Sequence, residues 1–149
     1  MSDQDIKNLV GDLPCPTFDD PAFNTPKPLQ QCRVAVVTSA ALHHPEDDDF
    51  ESQDTSFRIL DASRRDVALG HWSPNFDRSG FAQDVNVVWP VDRLQELAEE
   101  GVIGSVAPRH IAFAGNQDET MTSIRMDSGP QAAQLLQDDE VDIVILTPV

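Results

Sequence analysis

The 149-residue chain has little with which to cross a membrane, cross-link itself or cradle a phosphate. No apolar run approaches the roughly 18–20 residues needed to span a bilayer. The opening Met1-Ser2-Asp3-Gln4-Asp5 is polar and acidic, without the basic-then-apolar order of a secretory signal. Two cysteines, Cys15 and Cys32, are too few for a disulfide framework and show no metal-ligand spacing. A soluble, cytoplasmic chain with reduced thiols is the expectation. Cations are scarce as well. Ten Lys and Arg stand against 26 Asp and Glu, giving a formal net charge of -16, and only Lys7 and Lys27 are lysines. A field this negative repels phosphate backbones, which argues against nucleic acid as a partner. No G-x-G-x-x-G follows the first apolar strand, and no G-x-S-x-G, C-x-x-C or H-E-x-x-H occurs.

What is present reads as one α/β domain behind an extended arm. Residues 1–29 carry Pro14, Pro16, Pro21, Pro26 and Pro28 and few aliphatics, so they form the arm. A short helix near Asp5–Val10 is expected there, with Phe18 and Phe23 as residues that could pin the arm down. Residues 30–149 form the domain. Arg33–Thr38 is the first strand, Ser56–Leu60 a short second one, and Pro90 opens a helix that Gly101 stops. Short extended segments are expected at Val102–Val106 and His110–Phe113, and a second helix from Ser128-Gly129-Pro130 with Ala132, Ala133, Leu135 and Leu136 as its apolar positions. The closing run Val141-Asp142-Ile143-Val144-Ile145-Leu146-Thr147 reads as a buried strand parallel to the first. This order implies a three-layer, Rossmann-like fold with a mainly parallel sheet. If the first and last strands are neighbours, Thr38–Ala41 lies beside Thr147–Val149, at the carboxyl edge where open α/β sheets gather their ligands.

The candidate functional residues each carry a plain structural explanation too. Thr38, Ser39 and Ala40 suit a carboxylate or amine ligand, and equally suit strand-end capping. His43 and His44 with Glu46, Asp47, Asp48 and Asp49 read first as a solvated acidic loop and only secondarily as a loose divalent site; no metal is assigned. His71 and His110 lie amid apolar and aromatic neighbours, which fits either satisfied structural histidines or acid–base groups. Asp77, Asp84 and Arg93 fit helix capping and surface pairing.

Taken together, several segments resemble the selenoprotein B family of glycine/sarcosine/betaine and D-proline reductases. The segments are Arg33–Ala40, Asp54–Arg58, His71, Phe76-Asp77, Asp84-Val85-Asn86, Trp89–Leu94, Gly101–Ser105, His110–Gly115 and Leu146–Val149. Two positions depart from it: Ala41 stands where relatives often carry glycine, and Ala114 where they often carry methionine. The resemblance implies an oxidoreductase subunit that reductively cleaves the C–N bond of glycine, betaine, sarcosine or a D-proline-like substrate. It places a selenocysteine or cysteine directly after Val149, so the expectation is a chain that stops before its nucleophile and is inactive as it stands. No cofactor is expected in this chain; a pyruvoyl group on a partner subunit is implied. The expected partners are a small amine or amino-acid substrate and the other subunits of a reductase complex.

In this reading His71 and His110 protonate the leaving amine or stabilise the selenolate. Thr38, Ser39 and Ala40 line the pocket, and Asp84, Asn86 and Arg93 orient substrate. The alternative is a non-catalytic α/β small-molecule-binding or assembly module. A sheet face left uncovered would also favour homo-oligomers. The aspartate-rich, lysine-poor composition points further to a salt-adapted chain, in which counterions screen self-repulsion. Molar salt should then raise the midpoint of thermal unfolding; a chain fully folded without salt and unaffected by it would refute this.

Overall fold

The computed structural model describes residues 24–72, 78–117 and 120–149, together with residues 2, 4, 5 and 8. The expected helix at Asp5–Val10 falls largely outside them, and Phe18, Phe23, Phe76 and Asp77 fall wholly outside.

The strands in chain order are β1 (Arg33–Thr38), β2 (Leu42–His43), β3 (Phe57–Asp61), β4 (Ala68–Leu69), β5 (Ser105–Val106), β6 (Arg109–Phe113) and β7 (Ile143–Thr147). The α-helices lying wholly within the described residues are α1 (Arg78–Gln83), α2 (Val91–Glu99) and α3 (Gly129–Asp138). β1 is the central strand. It pairs in parallel with β7 on one side over five consecutive partners, from Val34↔Ile143 to Thr38↔Thr147. On its other side β5 pairs with its start and β6 with its end, both in parallel. β5 and β6 are one line broken at Ala107-Pro108, as expected where a residue without an N–H interrupts a ladder. β3 closes that side antiparallel to β6. The expected neighbourhood of the first and last strands is therefore met, in a mainly parallel α/β sheet.

The two sheet faces carry separate cores because strand side chains alternate. Val34, Val36, Leu60 and Ala112 pack with Trp89, Val91 and Leu94 of the α2 segment, and Ile143 and Ile145 join them. Ala35, Ile111 and Ala107 pack on the other face with Ala132 and Leu136 of α3, flanked by Phe57 and Phe113. α2 and α3 thus cover opposite faces, which right-handed crossovers running in opposite directions along the sheet require. From Val34 to Val37 β1 is continuously apolar because both its faces are covered.

β7 differs from expectation. Among the described residues it is an edge strand, with Val144 39% and Leu146 70% exposed. Its composition suits burial, but exposure is set by neighbours: β1 is its strand partner, and the α3 core is centred on Ala35 and Ile111. Val144 and Leu146 are paired with Ala35 and Val37 and so share the α3 face.

Both long helices end in the same hydrogen-bonded cap. Gly101 N–H reaches Ala98 O at 3.1 Å and Val102 N–H reaches Leu97 O at 2.9 Å. In α3, Glu140 N–H reaches Gln137 O at 2.9 Å and Val141 N–H reaches Leu136 O at 3.0 Å. This is the Schellman pattern, which places its pivot residue in the left-handed region. Gly101 (φ 71°) suits it; Glu140 (φ 55°) does not, since a Cβ there is strained. Its ion pair with Arg33 is long, 3.6 Å, and its side chain is exposed, so little opposes replacement. Glu140→Gly should raise stability by about 0.5–1 kcal/mol, read as an increase of a few degrees in Tm.

His110 is a core residue of β6 and is completely buried. Trp89 Nε1–H donates to its Nδ1 at 2.8 Å, and its Nε2 lies 3.2 Å from Ala107 O. The acceptor role of Nδ1 fixes the proton on Nε2 and the ring as neutral. Burial lowers its pKa to about 4 from 6.5. A depressed folded pKa means the unfolded chain takes up the proton first, so this contribution is complete above pH 6.5 and is lost as pH falls toward 4. His110→Leu would leave the Trp89 N–H unsatisfied and should cost about 2–3 kcal/mol at pH 7. That difference from the parent should shrink in denaturant melts between pH 6.5 and 4, because only the parent carries the histidine penalty.

Candidate active edge

The carboxyl edge of the sheet is built by the loops that leave β1, β4, β6 and β7. Ser39 follows β1, and its N–H continues the ladder to Thr147 O at 3.2 Å. The Ser39 hydroxyl accepts from Val149 N–H at 2.9 Å and donates to the Val149 main-chain oxygen at 3.3 Å. One hydroxyl thereby holds both main-chain groups of a residue 110 positions away. Thr38 Oγ1 donates to Thr147 O at 3.3 Å and accepts from Ala40 N–H at 3.2 Å, turning the chain at the strand end. Ala40 bridges to Ala114, so the ends of β1 and β6 stay together.

The next residue, Ala41, has φ 54°. That left-handed conformation accounts for a preference for glycine at this position. It sends the chain into β2, which pairs antiparallel with β4 (Leu42↔Leu69, His43↔Ala68). The ribbon returns the chain to the edge: Gly70 N–H donates to Ala41 O at 2.9 Å, and His71 follows directly. His71 is 6% exposed, and its Nε2 and the Val149 main-chain oxygen converge on the same face of Gly115. Its pKa is lowered from 6.5, first because burial disfavours the cation and second because of the nearby Arg78 charge; the Val149 main chain acts in the opposite direction. The imidazole is neutral near pH 7 and able to accept a proton.

Gly115 completes the convergence. A Cβ there would lie 2.9 Å from Ser39 O, 3.0 Å from His71 Nε2 and 3.0 Å from Val149 O. Four segments distant in sequence meet at a point where even a methyl group is too large. Thr147 Oγ1 donates to Val88 O at 2.9 Å, tying the turn before α2 to the same strand end.

Of the residues singled out from sequence, Thr38, Ser39, Ala40 and His71 are brought together here. His110 is not: both its ring nitrogens are engaged in the core, as described above. Asp84 and Asn86 organise the turn before α2. Asp84 accepts from Asn86 N–H at 2.9 Å and from the Asn86 side-chain amide at 2.8 Å. The Asn86 amide in turn bridges to Asp92. Arg93 lies on the α2 surface in an ion pair with Glu96 at 2.9 Å. His43 and His44 are buried rather than solvated. Asp61 N–H donates to His44 Nε2 at 3.0 Å, so its Nδ1 carries the proton and faces Asp66 O at 3.2 Å. Among the described residues no group of three or more His, Cys, Asp or Glu could hold a metal ion. None of the described helices is long and apolar enough to cross a membrane.

Sequence reasoning missed two members of this edge. Gly115 ends a segment that carries the family resemblance, but only the approach of Ser39, His71 and Val149 gives its missing side chain a meaning. Arg78, whose Nη2 donates to His71 O at 2.7 Å, carried no local signal.

The family model for glycine/sarcosine/betaine reductase selenoprotein B matches residues 5–149. The chain is 34% identical over 147 residues to D-proline reductase subunit gamma of Acetoanaerobium sticklandii, covering 95% of this chain and 59% of that protein. It is 31% identical over 145 residues to sarcosine reductase complex component B subunit beta of Peptoclostridium acidaminophilum, covering 91% and 32%. It is also 31% identical over 158 residues to glycine reductase complex component B subunit gamma of Symbiobacterium thermophilum, covering 95% and 35%. The chain thus spans between about a third and three-fifths of the length of these relatives. No solved structure matches. On the match across 5–149, the chain belongs to the glycine/sarcosine/betaine reductase selenoprotein B family.

Proposed function

We propose that this chain forms the active edge of a subunit in a selenol- or thiol-dependent reductase complex that cleaves the C–N bond of a small amino acid. The substrate would be glycine, sarcosine, betaine or a D-proline-like amine. The observation that carries the reading is the convergence of Ser39, His71 and Gly115 on the backbone of Val149. Family membership supplies the chemistry that such an edge would serve.

In this reading, a selenolate or thiolate near the β7 end would bond to the carbon bearing the amine as the C–N bond breaks, and a pyruvoyl group on a partner subunit would hold that amine. The residues present suit an anionic nucleophile. A hydroxyl donor, a neutral imidazole and a guanidinium lie around the strand end, and an ionised chalcogen is the reactive form. Ser39 fixes the strand end and therefore the direction in which the nucleophile points. His71 takes the proton released when the nucleophile ionises and returns it to the leaving nitrogen. Gly115, lacking a side chain, lets Ser39, His71 and Val149 approach one another closely.

A second reading has a specific observation behind it. The exposed Val144 and Leu146 on an edge strand favour a chain that works by docking to another subunit or copy, without chemistry of its own.

The test uses the full-length protein assembled with its partner subunits. His71→Ala should lower turnover by about 10²–10⁴-fold while leaving the unfolding midpoint nearly unchanged. The parent's turnover should fall on the acid side below pH 6.5, where His71 becomes protonated. Gly115→Ala should displace Ser39 and Val149 and reduce both turnover and stability, the latter by about 1–3 kcal/mol. Unaltered turnover in His71→Ala would remove the histidine from the chemistry. Assembly that persists with no turnover of any of these amines would favour the docking reading.

A further inference from the structure

A cleft of about 400 Å³ opens beside His71, lined by His43, Asp49, Phe50, His71, Trp72 and Arg78. Its volume falls in the range of small-molecule sites. His71 belongs to the cleft and to the strand-end cluster at once, so the cleft and the Val149 end share one side chain.

The charges in the cleft are unusual for this chain. Among the described residues Arg33, Arg58, Arg64, Arg65, Arg93 and Arg109 all pair with side-chain carboxylates. Arg78 is held differently. One nitrogen donates to the main-chain oxygen of His71, which points the guanidinium beside the imidazole and leaves the rest of its fork on the cleft. A cation so placed in a chain of net charge -16 creates a local site for an anion. Asp49 supplies the opposite charge in the same cleft; its carboxylate is highly exposed and 3.6 Å from His43 Nε2. Trp72 stands over the opening, 56% exposed, with its indole N–H fixed to Phe50 O at 2.6 Å. A locked, exposed indole offers a face to an ammonium or an aliphatic ring.

We infer that this cleft recognises a zwitterionic α-amino acid, with Arg78 reading the substrate carboxylate. Guanidinium is the side chain best shaped for a carboxylate, since two parallel N–H groups meet two oxygens. The ammonium or N-alkyl end lies against Trp72 and Asp49, so the bond to the α-carbon faces His71. The assignment rests on the proposed function for its substrate class and adds the residue that selects a carboxylate over a simple amine.

The test is a titration of the isotopically labelled chain, followed by backbone and indole resonances, with D-proline, glycine and D-prolinamide as probes. D-proline and glycine should move the signals of Gly70, His71 and Trp72 saturably at concentrations of about 10 mM or below. D-prolinamide, which keeps the amine and lacks the carboxylate, should bind at least roughly tenfold more weakly. Arg78→Gln should weaken D-proline to the level of the amide with the remaining spectrum unchanged, and Arg78→Lys should retain an intermediate affinity. Equal binding of D-proline and its amide, no effect of Arg78→Gln, or no saturable response to either amino acid would each overturn the inference. Turnover of the assembled complex separates the two claims. Normal turnover in the Arg78→Gln complex sinks the carboxylate assignment and leaves the reductase reading intact. Carboxylate-selective binding without any turnover does the reverse.

Discussion

The five-residue parallel ladder between β1 and β7 is the constraint from which the edge follows. Once Thr38 is set opposite Thr147, the residues just beyond each strand have no freedom to separate. Ser39 must then meet Val149, and its hydroxyl completes the contact. A shift of a single residue along this ladder would put Ser39 on the wrong side of the sheet and reverse every side chain of β7. The two aliphatic faces oppose that slip, because Ile143 and Ile145 are needed in the α2 core. Packing deep in the sheet therefore sets geometry at its rim. Function at this edge is a consequence of register.

The second constraint is the short ribbon of β2 and β4. Two pairs of residues are too few to be stable alone, and the ribbon is held by what surrounds it. His44 accepts the Asp61 N–H at the end of β3, and Phe50 packs with Ala41 and Ala114 beneath the turn. Arg58 sits over the Phe50 ring, 4.4 Å from its centroid, while pairing with Asp54. The loop thus keeps most of its carboxylates in solvent while His43, His44 and Phe50 anchor it inside the fold. Its two histidines serve that anchoring as hydrogen-bonding groups that need no charge.

How much of this was legible depended on whether the signal was local. β1, α2, α3 and β7 announce themselves because continuous aliphatic runs and helical spacing act over neighbouring residues. The pairing of the first and last strands followed from the α/β order. The edge position of β7 was not legible, since Ile143–Thr147 has the composition of a central strand and only the absent cover on Val144 and Leu146 distinguishes it. β2 and β4 left no trace, because two residues cannot show a period. His71 and His110 had the same local signature, a histidine beside aromatic or aliphatic residues. Their difference is tertiary: Trp89 and Ala107 consume both nitrogens of one, while the other reaches the strand end. Asp84 and Asn86 illustrate the converse, polar residues whose local capping explanation describes their hydrogen bonds fully.

The charge distribution joins these observations. Among the described residues, six of the eight arginines pair with side-chain carboxylates, while Arg78 stands at the carboxyl edge beside His71. That cation lowers the His71 pKa in the same direction as burial does, and so helps keep the imidazole neutral. A neutral base beside a fixed positive charge is suited to handling an anion, because the base accepts the proton while the charge stabilises what remains. The same arrangement would be poor at holding a free amine, which both groups repel or ignore once it is protonated. The electrostatics of the edge thus favour a ligand whose negative end meets Arg78 beside His71 and whose positive end lies apart, toward Asp49 and Trp72.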